Sequence, residues 1–108
     1  MNYQKVTEEE VYQRLTGLAL DVMNPIGGAI TLVNLASLMK TSRYQVKKHM
    51  DNLKKKGMVE LKCFNLSTEE ELYPPYWGYL LTEKGRETDY FREREKREDE
   101  IFRECFGV

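Results

Sequence analysis

Apolar residues recur at helical spacing near both ends of this chain and twice in between. From residue 58 to residue 64 they alternate with polar ones instead. In TEEEVYQRLTGLALDV, residues Val11, Leu15, Leu18 and Val22 share one face, with Leu20 and Met23 nearby. That spacing predicts an amphipathic helix over residues 7–23. Thr7 is its N-cap, Glu10 completes a capping box, and Glu8 to Glu10 suit the positive end of the helix dipole. NPIGG ends it, because Pro25 and the Gly27–Gly28 pair interrupt helical backbone. Ile30 predicts a very short strand. Thr31 then caps a helix that buries Leu32, Leu35, Ala36 and either Leu38 or Met39. Lys40–Thr41 is a tight connection. Ser42 caps the following helix, Gln45 completes a second capping box, and Val46, Met50 and Leu53 recur at i, i+4 and i+7. Gly57 ends that helix with positive φ.

After Gly57 the period drops to two. Val59, Leu61 and Cys63 point one way, and Glu60, Lys62 and Phe64 the other, which predicts a strand. NLSTEEELYPP is a loop closed by two prolines, and YWGYLL is a second strand with Trp77, Tyr79 and Leu81 on one face. The two strands are expected to pair as an antiparallel hairpin. TEKGRETDYFREREKREDEIFRECF predicts one long helix over residues 82–106, capped by Thr82. Gly85 falls in its first turn and weakens it by ~1 kcal/mol relative to alanine. Glu93 with Arg97 and Lys96 with Glu100 are i,i+4 pairs of opposite sign, each contributing about 0.2–0.5 kcal/mol. The predicted order is helix, short strand, helix, helix, strand, strand, helix: an α+β chain, mostly helical.

With 108 residues, 41 % apolar and 32 % charged, the chain fits a single domain (1–108) with a modest core and a heavily solvated surface. The net charge of −1 argues against a generally basic, sticky protein. It conceals a local asymmetry. TSRYQVKKHMDNLKKKGMVE gathers Arg43, Lys47, Lys48, Lys54, Lys55 and Lys56 against Asp51 and Glu60. Charge near a bound polyanion outweighs charge a Debye length away. No stretch approaches ~18 consecutive apolar residues, so no membrane span is expected. MNYQKVTEEE lacks the apolar core of a signal peptide, so a cytoplasmic protein is expected. Cys63 and Cys105 lack CxxC spacing and have apolar neighbours, so they read as reduced thiols packed as small hydrophobes. His49, beside the apolar stripe of its helix, reads as a partly buried helix residue. It and the cysteines lack zinc spacing, no nucleophile has a base and an orienter, and PIGG lacks the Lys-Ser/Thr of a phosphate loop. Neither an enzyme, a metal nor a cofactor is expected.

LASLMKTSRYQVKKHMDNLKKKGMVE resembles the winged helix-turn-helix of bacterial transcription regulators, and GYLLTEKGRE resembles the end of the wing and the entry to the next helix. The MarR, PadR and ArsR groups share this pattern, which here covers about residues 30–90. Its strongest parts are Leu35-Ala36, Val46, Met50, Leu53, Lys56-Gly57-Met58-Val59 and Leu81-Thr82-Glu83-Lys84-Gly85. The resemblance implies a winged helix-turn-helix with extra N- and C-terminal helices and a sequence-specific regulator, in particular a repressor, of double-stranded DNA. The third helix would enter the major groove. Its exposed positions are then Arg43, Tyr44, Gln45, Lys47, Lys48 and Asn52. Arg43 suits guanine, and Gln45 suits adenine only when not closing its own capping box. Tyr44 suits a thymine methyl or a phosphate, and Lys47 and Lys48 suit phosphates. Ser42 leaves backbone N–H groups at a helix N-terminus for a phosphate. Lys62 is the one cation on the wing strands. Lys54 to Lys56 read as solvated charge that favours the helix dipole.

Two features depart from the pattern. Lys40 stands where many such turns carry glycine. The wing tip reads STEEE, whose Glu69, Glu70 and Glu71 repel phosphate. Either the wing stays off the DNA backbone or the domain meets something else. A second expectation follows: a winged-helix protein-interaction or assembly module in a replication or plasmid or phage maintenance complex. Phe64, Tyr73, Tyr76, Trp77 and Tyr79 read mostly as core and wing packing, with room for a small-molecule effector pocket near a dimer interface. The first and last helices (7–23 and 82–106) carry more apolar surface than the winged core covers, so a homodimer is expected.

Overall fold

The computed structural model describes residues 4–24 and 26–107. Helix α1 spans Glu8–Ala19, α2 spans Leu32–Leu38 and α3 spans Arg43–Lys55. Strands β1 (Val59–Phe64) and β2 (Tyr76–Leu81) follow, then a single 3₁₀ turn at Lys84–Arg86 and α4 (Asp89–Phe106). Four helices and a two-stranded antiparallel sheet make a small α+β fold. No helix among the described residues is long and apolar enough to cross a membrane.

The predicted N-caps at the first three helices hold. Thr7, Thr31 and Ser42 each accept a hydrogen bond from the backbone N–H three residues on. α1 stops short of the expected residue 23. The Asp21 carboxylate accepts the Met23 N–H and its carbonyl accepts the Asn24 N–H, an Asx turn that competes with helix. Val22 and Met23 are therefore exposed rather than packed. Pro25, expected to end the helix, lies outside the described residues.

Both ends of the α2–α3 pair close in the same manner. After α2, Thr41 N–H reaches the Ala36 carbonyl and Lys40 N–H the Ser37 carbonyl. After α3, Met58 N–H reaches Leu53 and Gly57 N–H reaches Lys54. Both are Schellman motifs, which need a left-handed residue just past the helix. Gly57 supplies it at φ 75° without strain. Lys40 supplies it at φ 52°, where a side chain costs ~1–2 kcal/mol.

The hairpin pairs Val59 with Leu81 through to Phe64 with Tyr76. The expected third strand shrinks to one residue: Ile30 exchanges two hydrogen bonds with Tyr79 (2.9 and 2.8 Å) as an isolated bridge. Thr31 immediately begins capping α2, which leaves no chain to extend the pairing.

The expected single C-terminal helix is interrupted. Thr82 does not cap it. Its Oγ1 donates to the Gly57 carbonyl (2.5 Å) and accepts the Gly85 N–H, which closes the 3₁₀ turn. Tyr12 donates to the Gly85 carbonyl (2.6 Å) and its hydroxyl also meets Thr88 Oγ1. These contacts draw residues 82–88 onto the body, and α4 starts afresh with Thr88 capping Phe91 N–H. The core gathers Val11 and Leu15 of α1, Leu35, the α3 stripe, Val59, Leu81 and Phe91. Cys63 and Cys105 are both free and exposed, not packed as small hydrophobes. Cys63 falls on the outer half of the hairpin and Cys105 on the far end of α4, beyond the reach of the core.

Gly85 is thus not a weak helical position but a buried contact. A Cβ there would lie 2.2 Å from the Met58 carbonyl oxygen. Gly85→Ala is expected to destabilise the fold by ~1–3 kcal/mol as overpacking does, where a helical glycine would gain ~1 kcal/mol from the same change. The midpoint of urea unfolding gives the sign.

Candidate nucleic-acid interface

Burial of one stripe orients α3. Val46, Met50 and Leu53 are 0 %, 0 % and 2 % exposed. Turning the opposite way, at the same helical spacing, stand Tyr44, Lys48, Asp51 and Lys55. Arg43 and Lys47 flank that line on one side and Asn52 on the other. Arg43, Tyr44, Lys47, Lys48, Asn52, Lys54 and Lys55 are all exposed, Tyr44 at 73 %.

Two fasteners hold this face in place. The N-terminal segment crosses the turn: Gln4 N–H donates to the Lys40 carbonyl (3.0 Å), and the Thr41 hydroxyl donates to the Gln4 carbonyl. Further along, His49 Nε2 lies 2.8 Å from the Val6 carbonyl, while Nδ1 is buried with no partner among the described residues. The carbonyl selects the tautomer with its proton on Nε2. His49 is therefore a half-buried clasp for the N-terminal strap, in keeping with its place beside the apolar stripe.

At the N-terminus of α3, Ser42 is half-buried and its Oγ accepts the Gln45 N–H at 3.2 Å. No return bond from the Gln45 amide is present among the described residues, so that side chain is not committed to the capping box. Lys62 lies on β1, exposed. Strand alternation puts it with Glu60 and Phe64, on the opposite sheet face from Val59, and its Nζ lies 6.0 Å from the Phe64 ring centre.

Two ion pairs reshape the cationic face. Lys56, still exposed, pairs with Glu8 of α1, to one side of the Tyr44–Lys55 line. Lys47 pairs with Asp51 at 2.8 Å, and both ends are solvated. The hydrogen bond to Asp51, then its charge, holds the Lys47 amine above the usual lysine range. Among the described residues, Arg43, Lys48, Lys54 and Lys55 have no ion-pair partner, and they carry the face's net positive charge. Asp51 is the residue that inspection of the lysines alone overlooks. Its position seven after Tyr44 marks it as central to the outer face. Lys55, four further on, belongs to the same line and adds to the cations expected there.

The described residues hold no cluster of His, Cys, Asp and Glu suited to a metal ion. No family model matches the chain, and no curated protein matches it.

Asp51→Asn removes the carboxylate charge and weakens the hydrogen bond, the two largest causes of the Lys47 shift, and leaves the smaller contribution of Tyr79. The Lys47 amine pKa is expected to fall toward the ordinary lysine value, read from the side-chain resonances in an NMR titration. An unchanged titration would show that the pair does not form in solution.

Proposed function

We propose that this chain is a sequence-specific DNA-binding transcriptional regulator that acts as a homodimer and represses by occupying an operator. In this reading α2, its turn and α3 are a helix-turn-helix, with β1 and β2 as its wing. The observation that carries it is the outer side of α3: a row of exposed cations and polar groups on a helix locked from behind by a fully buried stripe. A protruding helix of that character suits a major groove, with phosphate contacts for affinity and a few side chains for base edges. Arg43, Tyr44 and Gln45 read bases. Ser42, Lys47, Lys48 and Lys55 face phosphates. Asp51 holds Lys47 in the free protein, and a phosphate replaces it on binding.

Association of two chains is supported by the far end of α4. α4 runs alongside α1 in the same direction: Tyr90 lies edge-on to Tyr12, and Arg94 donates to the Gln13 carbonyl (3.0 Å). α1 ends at Ala19 and α4 continues. Ile101, Phe102 and Phe106 are left 51 %, 48 % and 68 % exposed across a groove of about 610 Å³ from Ala19–Val22. A two-fold pairing there covers this surface, and reading two half-sites requires the paired recognition helices to stand about one DNA turn apart, ~34 Å.

Lys47→Ala is expected to weaken binding to every duplex and to lower the slope of log K against log salt by about 1. Arg43→Ala is expected to relax base preference instead, read by selection of bound sequences from a random duplex pool. An unaltered salt slope or an unaltered selected motif counts against the respective role. Replacing Phe102 and Phe106 together by aspartate is expected to turn a dimer into a monomer in sedimentation equilibrium. A wild-type chain that sediments as a monomer at the same concentration would remove the homodimer from this reading.

A further inference from the structure

We propose that the tip of the β1–β2 hairpin is a docking surface for a protein segment with an apolar centre and a basic rim. The inference is independent of DNA reading by α3.

The tip displays large apolar side chains that the fold does not use. Leu72 is 90 % exposed, Trp77 56 %, Tyr73 51 % and Leu66 43 %. A shallow groove of about 400 Å³ is lined by Leu66, Tyr73, Pro74, Pro75 and Tyr76, with Leu72 next to it in the chain, while Trp77 turns to the other face of the hairpin. Exposed aromatic and aliphatic surface of this kind marks interaction sites, and Tyr is enriched among the residues that carry binding energy.

The surface is also pre-shaped. Ser67 Oγ accepts the Tyr73 N–H (2.8 Å), and its hydroxyl donates to the Tyr73 carbonyl (3.1 Å). Thr68 N–H donates to the Glu71 carbonyl (2.8 Å), Glu71 N–H returns to Thr68 Oγ1, and the Tyr73 hydroxyl donates to the Glu71 carboxylate. The loop is closed on itself and two prolines stiffen its exit. Docking there orders little chain, which lowers the cost of association.

Charge selects the partner. Glu69, Glu70 and Glu71 are exposed beside the apolar groups, and residues 65–77 contain no Lys or Arg. Phosphate, whether of nucleic acid or of an anionic lipid, is repelled. A second copy's exposed apolar face, at the end of α4, lacks the basic rim that these carboxylates call for. Two facing tips would oppose six carboxylates, and the bare end of α4 is itself acidic, with Glu98, Asp99, Glu100 and Glu104 against Arg103. What fits is an amphipathic segment of another protein, apolar in the middle and lined with Lys or Arg.

A library of random dodecapeptides, panned in parallel on the wild-type chain and on Leu72→Asp, tests this. The change leaves the fold intact because Leu72 touches little, and matching circular dichroism melts verify that. Peptides retained by the wild type alone are expected to combine Lys or Arg with Leu, Phe or Trp. The best of them, synthesised and labelled, is expected to bind about tenfold more weakly to Leu72→Asp and to a variant with Glu69 and Glu70 both changed to Lys, which leaves the Glu71–Tyr73 bond in place, as for loss of an interface anchor. Arg43→Ala should leave peptide binding unchanged whatever it does to DNA, which separates this inference from the DNA reading. The proposal is overturned by the absence of Leu72-dependent peptides, by enrichment of acidic ones, or by binding indifferent to the charge reversal. It is equally overturned if Leu72→Asp weakens self-association, binding of duplex DNA, or binding to zwitterionic lipid vesicles, since the occupant would then be a second copy, DNA or a membrane.

Discussion

Everything on this chain's presented surfaces depends on burying one side of α3. Val46, Met50 and Leu53 insert between α1, α2 and the base of the hairpin, and each contributes ~1.5–3 kcal/mol by leaving water. A helix so anchored cannot rotate without exposing that stripe, so its polar side points outward by necessity. The orientation of Arg43, Tyr44, Lys48 and Lys55 is a consequence of what lies behind them, not of any bond they make. The remaining fasteners refine it. The strap at Gln4–Val6 grips both the α2–α3 turn and His49, and the paired Schellman closures fix where α3 begins and ends. Lys40 accepts a left-handed backbone at a turn that glycine would make without strain, which shows the surrounding hydrogen bonds to be strong enough to impose it.

Electrostatics here is local. A net charge of −1 describes neither end of the molecule. Cations collect on α3 and carboxylates on the hairpin tip. The two ion pairs at α3 take opposite parts. Lys56 with Glu8 ties α3 to α1, to one side of the Tyr44–Lys55 line. Lys47 with Asp51 keeps its charges on the outer face, loosely held and solvated, where a competing anion can reach them. The cations of α3 and the carboxylates of the hairpin tip lie on different elements, so each keeps its own local sign.

Features set by neighbours along the chain were legible beforehand. The N-caps Thr7, Thr31 and Ser42, the period of the α3 stripe, the positive φ of Gly57 and the facing of Val59 and Trp77 each follow from residues within a few positions of one another. The exposed side of α3 followed too, since knowing the buried stripe gives its opposite. The sheet face of Lys62 follows from strand alternation, but which face meets the helices is set by distant residues.

The sequence by itself determined where helices start, which face of each is apolar, and that charge concentrates on one helix, because capping, periodicity and charge are written in short windows. Only the tertiary structure decided that Thr82 and Gly85 bind to Gly57 and Met58 rather than build a helix, that Ile30 pairs through a single residue, and that both cysteines face solvent. Each of those outcomes depends on a group far away in the chain, whose approach costs loop entropy and is repaid by contacts that no local pattern encodes.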